Sequence, residues 1–144
     1  NDLMTNNSVQ ADPFGFAFDQ LDIDTNAPIT NIADASSPLV DGPFGTVNAI
    51  GFYDGDSVHL TGTNPDAMGV LFHDNAADDA SSIVVGLSRA GEGRVVFVTD
   101  SAIGGDGTDS HGEALQYKDS WDNANQDNDS LFLNAVAFLA GKSN

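Results

Sequence analysis

The sequence predicts an α/β domain, and three observations carry that prediction. The run Val95-Val96-Phe97-Val98 is apolar without alternation, as a strand buried on both faces would be. From Asp100 to Asn128 the chain is rich in Gly, Asp, Ser and Asn and has no periodicity, which reads as one long loop. Leu131, Ala135, Val136, Phe138 and Leu139 then recur at three- and four-residue spacing, the apolar face of a helix. A strand, a loop and a helix in that order suit a helix laid on a sheet better than a sandwich of two sheets.

The elements follow in chain order. Asn1-Asp2-Leu3-Met4 reads as the tail of an earlier element. Phe14, Phe16 and Phe18 alternate with strand period, and Pro13 and Gly15 place that strand at an edge or turn. Ala27 to Ile32 is a short extended piece and Ser36 to Gly45 is dense in turn residues, so residues 1–46 form an irregular entry. Residues 47–99 are expected to be sheet. Val47 to Tyr53 and Ser57 to Leu60 flank an Asp54-Gly55-Asp56 turn, and Ala67 to His73 follows. Ile83 to Ser88 and Arg94 to Thr99 then flank Arg89-Ala90-Gly91-Glu92-Gly93. Residues 100–128 are the acidic loop and 129–141 the closing helix, with Asp127 or Asp129 as N-cap and Gly141 as its stop. The length suits one domain or the C-terminal portion of one. The second is favoured, because a sheet covered on both faces needs more than one helix.

Charge narrows the function. The 144 residues carry 22 Asp and Glu against 4 Lys and Arg, a net charge of −18, and only Glu92 and Glu113 are glutamates. Four cations cannot release counterions along a phosphate backbone or hold an anionic membrane surface, which excludes nucleic acid and lipid headgroups as partners. No apolar run reaches the roughly 20 residues of a membrane-spanning helix. The absence of cysteine removes thiol nucleophiles, disulfides and thiolate metal sites.

Gly91-Glu92-Gly93-Arg94-Val95-Val96-Phe97-Val98-Thr99-Asp100-Ser101, together with Asn128 to Gly141, resembles the end of class I glutamine-amidotransferase-like domains. Within these it is most similar to the non-catalytic branch of gliding-motility and intraflagellar-transport proteins and of secreted multidomain bacterial proteins. That branch ends in a G-x-G-R-V-V strand, a D-S tip and a helix carrying N-A-V-x-W-L. Phe138 stands here where the family has Trp, and Thr99 where Gly is common. The likeness covers about the last 55 residues and, weakly, Ile29 to Leu60. It implies a flavodoxin-like, three-layer domain of which this chain is the C-terminal portion, with added hairpins and the acidic loop. A complete domain would begin with a βαβ unit. The expected partner is therefore the remainder of the same polyprotein or a second chain along a sheet edge, with self-association as a variant, because an open edge invites pairing.

Each candidate site competes with a structural role for the same residues. Asp100 and Ser101 follow a central strand, where open α/β sheets place ligands, but Asp at a strand end more often ties down backbone N–H groups. Ser101 lacks the flanking glycines of a nucleophile elbow, since the sequence reads Thr99-Asp100-Ser101-Ala102-Ile103. A triad would borrow His111, and the family's active branch uses a Cys that this chain lacks. His59, His73 and His111 show no zinc-ligand spacing. The metal candidates are Asp106, Asp109, Glu113, Asp122, Asp127 and Asp129. With Asp119 they put seven carboxylates into 24 positions among hard-oxygen carbonyls, so Ca²⁺ is the expected cofactor if there is one, and a solvated acidic loop the alternative. No EF-hand spacing is present. Trp121, with Tyr117 and Phe44, is the bait for a sugar-binding reading, although such a Trp more often closes a loop onto its domain.

These observations favour a non-catalytic binding or assembly module, outside the cell or on its surface, with the periplasm as a further location. The alternatives are a hydrolase fragment whose nucleophile lies in an N-terminal portion, and a carbohydrate-binding module.

Overall fold

The computed structural model describes residues 13–19, 23–24, 27–74, 76–77, 81–105, 107–108, 111–112, 121 and 123–142. Its elements are β1 (Phe16–Phe18), β2 (Ile23–Asp24), β3 (Asn31–Ile32), β4 (Asp41–Gly42), β5 (Gly45–Thr46), β6 (Asp54–Gly55), β7 (Val58–Leu60), β8 (Met68–Phe72), β9 (Ile83–Ala90) and β10 (Gly93–Val98). A 3₁₀ turn at Ser101–Gly104 and one helix, α1 (Asn128–Leu139), follow. The main sheet runs β1-β7-β9-β8-β3 with β10 also on β9, while β2–β6 and β4–β5 form separate small ladders. Strands predominate and one helix packs on them, the α/β class in its coarse form. Every strand pair among the described residues is antiparallel.

The strand buried on both faces is β9, not β10. Ile83 to Ser88 are all buried, whereas in β10 only Phe97 is. The cause is neighbours. Ile83 pairs with both Phe72 and Val58, and Val85 with both Leu71 and Val98, so β8 covers one side of β9 while β7 and β10 share the other. The buried apolar residues gather into two clusters. Val85, Leu87, Leu131, Ala135 and Phe138 join Ile50 and Phe52 in one cluster, against which Val96 and Val98 pack. Phe16, Val58, Phe72, Ile83 and Phe97 form the other. Phe97 meets Phe16 edge-to-face with ring centres 4.2 Å apart. Its ring also lies over Gly86, where a Cβ would come within 2.4 Å of it, so that position has room only for glycine.

Val47 to Tyr53 is not the expected strand. Val47, Ile50, Phe52 and Tyr53 are buried, yet only Ile50 forms a β-bridge, an isolated one to Ile29 outside the strands. The segment instead runs beneath α1 and is held there by asparagine side chains. Asn128, fully buried, accepts the Gly51 N–H on Oδ1 and donates to the carbonyls of Gly51 and Ile103. Asn134, also fully buried, accepts the Phe44 N–H and donates to the carbonyls of Leu39 and Gly45, fastening the β4–β5 hairpin. Asp54-Gly55 pairs with β2 rather than turning the chain.

α1 ends as expected. Gly141, at φ +77°, lets Lys142 N–H reach Ala137 C=O while its own N–H reaches Phe138 C=O, a Schellman closure. Its start differs. Asp127 holds the N-cap position without a side-chain cap bond, and its Oδ2 accepts the N–H groups of Asn48 and Ala49 instead.

Candidate functional site

The outer side of β10 is the most site-like surface among the described residues, and its origin is local. Gly91 and Glu92 form a two-residue turn between the paired Ala90 and Gly93, with Gly91 at φ +60°, where an L side chain would be strained. Beyond the strand, Thr99 N–H donates to Val84 C=O at 3.1 Å. Antiparallel alternation therefore puts Gly93, Val95 and Phe97 in the hydrogen-bonded pairs facing β9. The backbone N–H and C=O groups of Arg94, Val96 and Val98 point the other way, and β10 pairs only with β9 among the described residues.

That open side runs into an apolar groove of about 170 Å³. Val96, Val98 and Ile103 form its floor, and Leu131, Phe132, Ala135, Val136 and Leu139 of α1 its wall. Val136 and Leu139, expected inside the core, are half-exposed, at 49% each, and Phe132 is 46% exposed. The three share one helix flank at i, i+4 and i+7, so α1 carries a second apolar stripe beside the one buried on the sheet. Trp121 extends this surface: its indole meets Phe132 edge-on at 5.5 Å, and its backbone N–H donates to Gly105 C=O. Arg94 bounds the other end, with Nη1 donating to Phe138 C=O at 2.7 Å and the guanidinium 5.0 Å from the centre of the Phe138 ring.

The residues singled out in the sequence are dispersed. Asp100 is buried at the tip of β10, where its Oδ2 accepts the Tyr53 N–H at 2.8 Å, the backbone-tying role. Ser101 is exposed and opens the 3₁₀ turn, without the strand–elbow–helix setting of a nucleophile. His111 is exposed. Asp106, Asp109, Glu113 and Asp122 lie outside the described residues, as do Tyr117 and Asp119. Asp127 is engaged with Asn48 and Ala49, and Asp129 accepts the Ser130 N–H. Among the described residues no three His, Asp or Glu side chains converge as a metal site. Among them, too, no helix is long and apolar enough to cross a membrane.

Sequence reasoning missed a polar cluster between β1 and β7. Asp19 accepts the buried Ser57 hydroxyl on one carboxylate oxygen at 2.5 Å and meets His59 Nδ1 on the other at 2.6 Å. The carboxylate stands between serine and imidazole, so His59 does not act as base toward Ser57, and a fully buried hydroxyl meets no substrate. The cluster ties β1 to β7. Only the β1–β7 register brings Asp19 beside Ser57 and His59, and no local pattern announces it.

Comparison of the chain with protein-family models, with curated proteins and with solved structures finds no match.

Proposed function

We propose that the chain is a non-catalytic binding or assembly module of a secreted or cell-surface protein that works by strand addition along β10. One observation carries this reading: the outward backbone groups of Arg94, Val96 and Val98 lie beside an apolar groove. The other outer strands of the sheet are poorer templates, since β1 has three residues and β3 two, against six in β10. An added strand gains backbone hydrogen bonds from the edge and side-chain specificity from the groove.

The same reading takes β9, β10 and α1 as the closing unit of a glutamine-amidotransferase-like, flavodoxin-like domain. The strand added beside β10 then comes from the rest of such a polyprotein or from a second chain. It assigns the acidic stretch from Asp106 to Asp129 to Ca²⁺, whose charge would relieve the repulsion among its carboxylates.

The test is a synthetic octapeptide with valine at alternate positions, added to the isotope-labelled chain. The amide signals of Arg94, Val96 and Val98 should shift and their hydrogen exchange slow, while β1 and β3 stay unchanged. Binding that leaves β10 unaffected, or no binding, overturns the reading.

A further inference from the structure

We propose that the partner strand is β10 of a second copy of this chain, forming a two-fold dimer in which the sheets join edge to edge. The proposal rests on the edge-pairing reading above and names its occupant.

Geometry comes first. Antiparallel pairing of two β10 strands about Val96 sets Val96 against its own mate and Arg94 against the partner's Val98. All three outward-facing residues then fall in hydrogen-bonded pairs, for about six backbone bonds. Cross-strand neighbours point to the same face, so the two copies of Val96 and Val98 form one continuous floor on the α1 side. The two-fold axis stands normal to the sheet and brings both helices onto that face, with their outer flanks toward each other. Phe132, Val136 and Leu139, nearly half-exposed in one copy, then meet the same stripe on the other.

Charge selects this occupant. The chain as a whole is at −18, but the groove is lined by apolar residues and the charges at its ends differ in sign. Arg94 and Lys142 stand at the end where α1 finishes and β10 begins, accompanied by Glu92 in the turn. Asp127 and Asp129 stand at the end where α1 begins, near the tip of β10 at Asp100. With Arg89, the cross-strand neighbour of Arg94, three of the molecule's four cations stand at one end of the groove and carboxylates mark the other. An antiparallel mate lays each basic end on the opposing acidic end, whereas a parallel mate would set like on like. The chain's own remaining segments are poor occupants. Residues 1–12 offer only Leu3, Met4, Val9 and Ala11 as apolar groups, and 113–120 only Ala114, Leu115 and Tyr117, neither an alternating strand run.

Sedimentation velocity over a wide concentration range tests the proposal, with two variants. Val136→Lys puts an ammonium in the apolar stripe at an exposed helix position. Val96→Pro removes one outward N–H without touching the ladder to β9. The expected result is a species of about twice the 15.0 kDa chain, with the dimer constant weakened roughly tenfold or more in each variant and melting of the monomer little changed by Val136→Lys. If Val96→Pro fails to fold, amide exchange replaces it: Val96 and Val98 should be protected in concentrated wild type and exchange on dilution. A monomer up to roughly 1 mM overturns the proposal, as does a dimer indifferent to Val136→Lys. A monomer whose β10 still takes the octapeptide would leave the edge-pairing reading standing and remove only the second copy.

Discussion

Asn134 Oδ1 accepts the Phe44 N–H at 3.0 Å, joining the middle of α1 to a hairpin turn ninety residues earlier in the chain. The same side chain donates to Leu39 and Gly45, so one buried amide meets three backbone groups beneath the helix. Replacing it with Leu should cost about 2–4 kcal/mol, the sum of lost hydrogen bonds and stranded carbonyls. Urea unfolding measures this, and a loss below about 0.5 kcal/mol would show that the hairpin does not depend on Asn134.

Asp19 binds Ser57 and His59 on its two oxygens. Asp19→Ala leaves the buried Ser57 hydroxyl unmatched, and a cost of about 1–3 kcal/mol follows from that group. His59 is 43% exposed on its side chain, so solvent screens its share of the interaction. The double variant Asp19→Ala/Ser57→Ala should recover part of the loss. A double variant no more stable than Asp19→Ala would place the cost elsewhere.

Ser36 donates its hydroxyl and its backbone N–H to Asp34 and holds that carboxyl below its ordinary value of 3.8. A carboxyl lowered in the folded state adds stability above its unfolded value, and that stability is lost as pH falls through the folded value. Titration of the Asp34 carboxyl by NMR should place it below 3.8 in wild type and nearer 3.8 in Ser36→Ala. Equal values in the two proteins would exclude the hydroxyl as the cause.

Ca²⁺ at millimolar concentration should raise the melting temperature and EDTA lower it, because an ion that binds only the folded chain stabilises it by mass action. Mg²⁺ at the same concentration controls for screening. Identical melting in all three conditions would assign the acidic stretch to solvent.

The β9–β10 hairpin and α1 were legible because their signals are local. Gly91 supplies the turn, β-branched runs supply the strands, and Gly141 supplies the helix stop. What escaped depended on long-range placement. Val47, Ile50 and Phe52 are apolar because a helix lies over them, and burial without a ladder leaves the same residues as burial in a strand. Val136 and Leu139 fit the inner face by spacing, but α1 is apolar on more than one side, so periodicity alone could not say which flank met the sheet. The backbone-tying role of Asp100 was readable from its position at a strand end. The role of Asp127, by contrast, follows from where Asn48 and Ala49 come to rest.

The asparagine ties of α1 also bear on how the chain folds. Through Asn128 and Asn134, α1 is tied to partners 77 to 95 residues away in the segment from Leu39 to Gly51. Contacts of such separation cost loop entropy before they yield any stabilisation, which slows folding. Trp121, the only tryptophan, rests against Phe132 on that helix. Its fluorescence is therefore a built-in reporter of helix docking, expected to lag behind the circular dichroism of the hairpin in a refolding experiment.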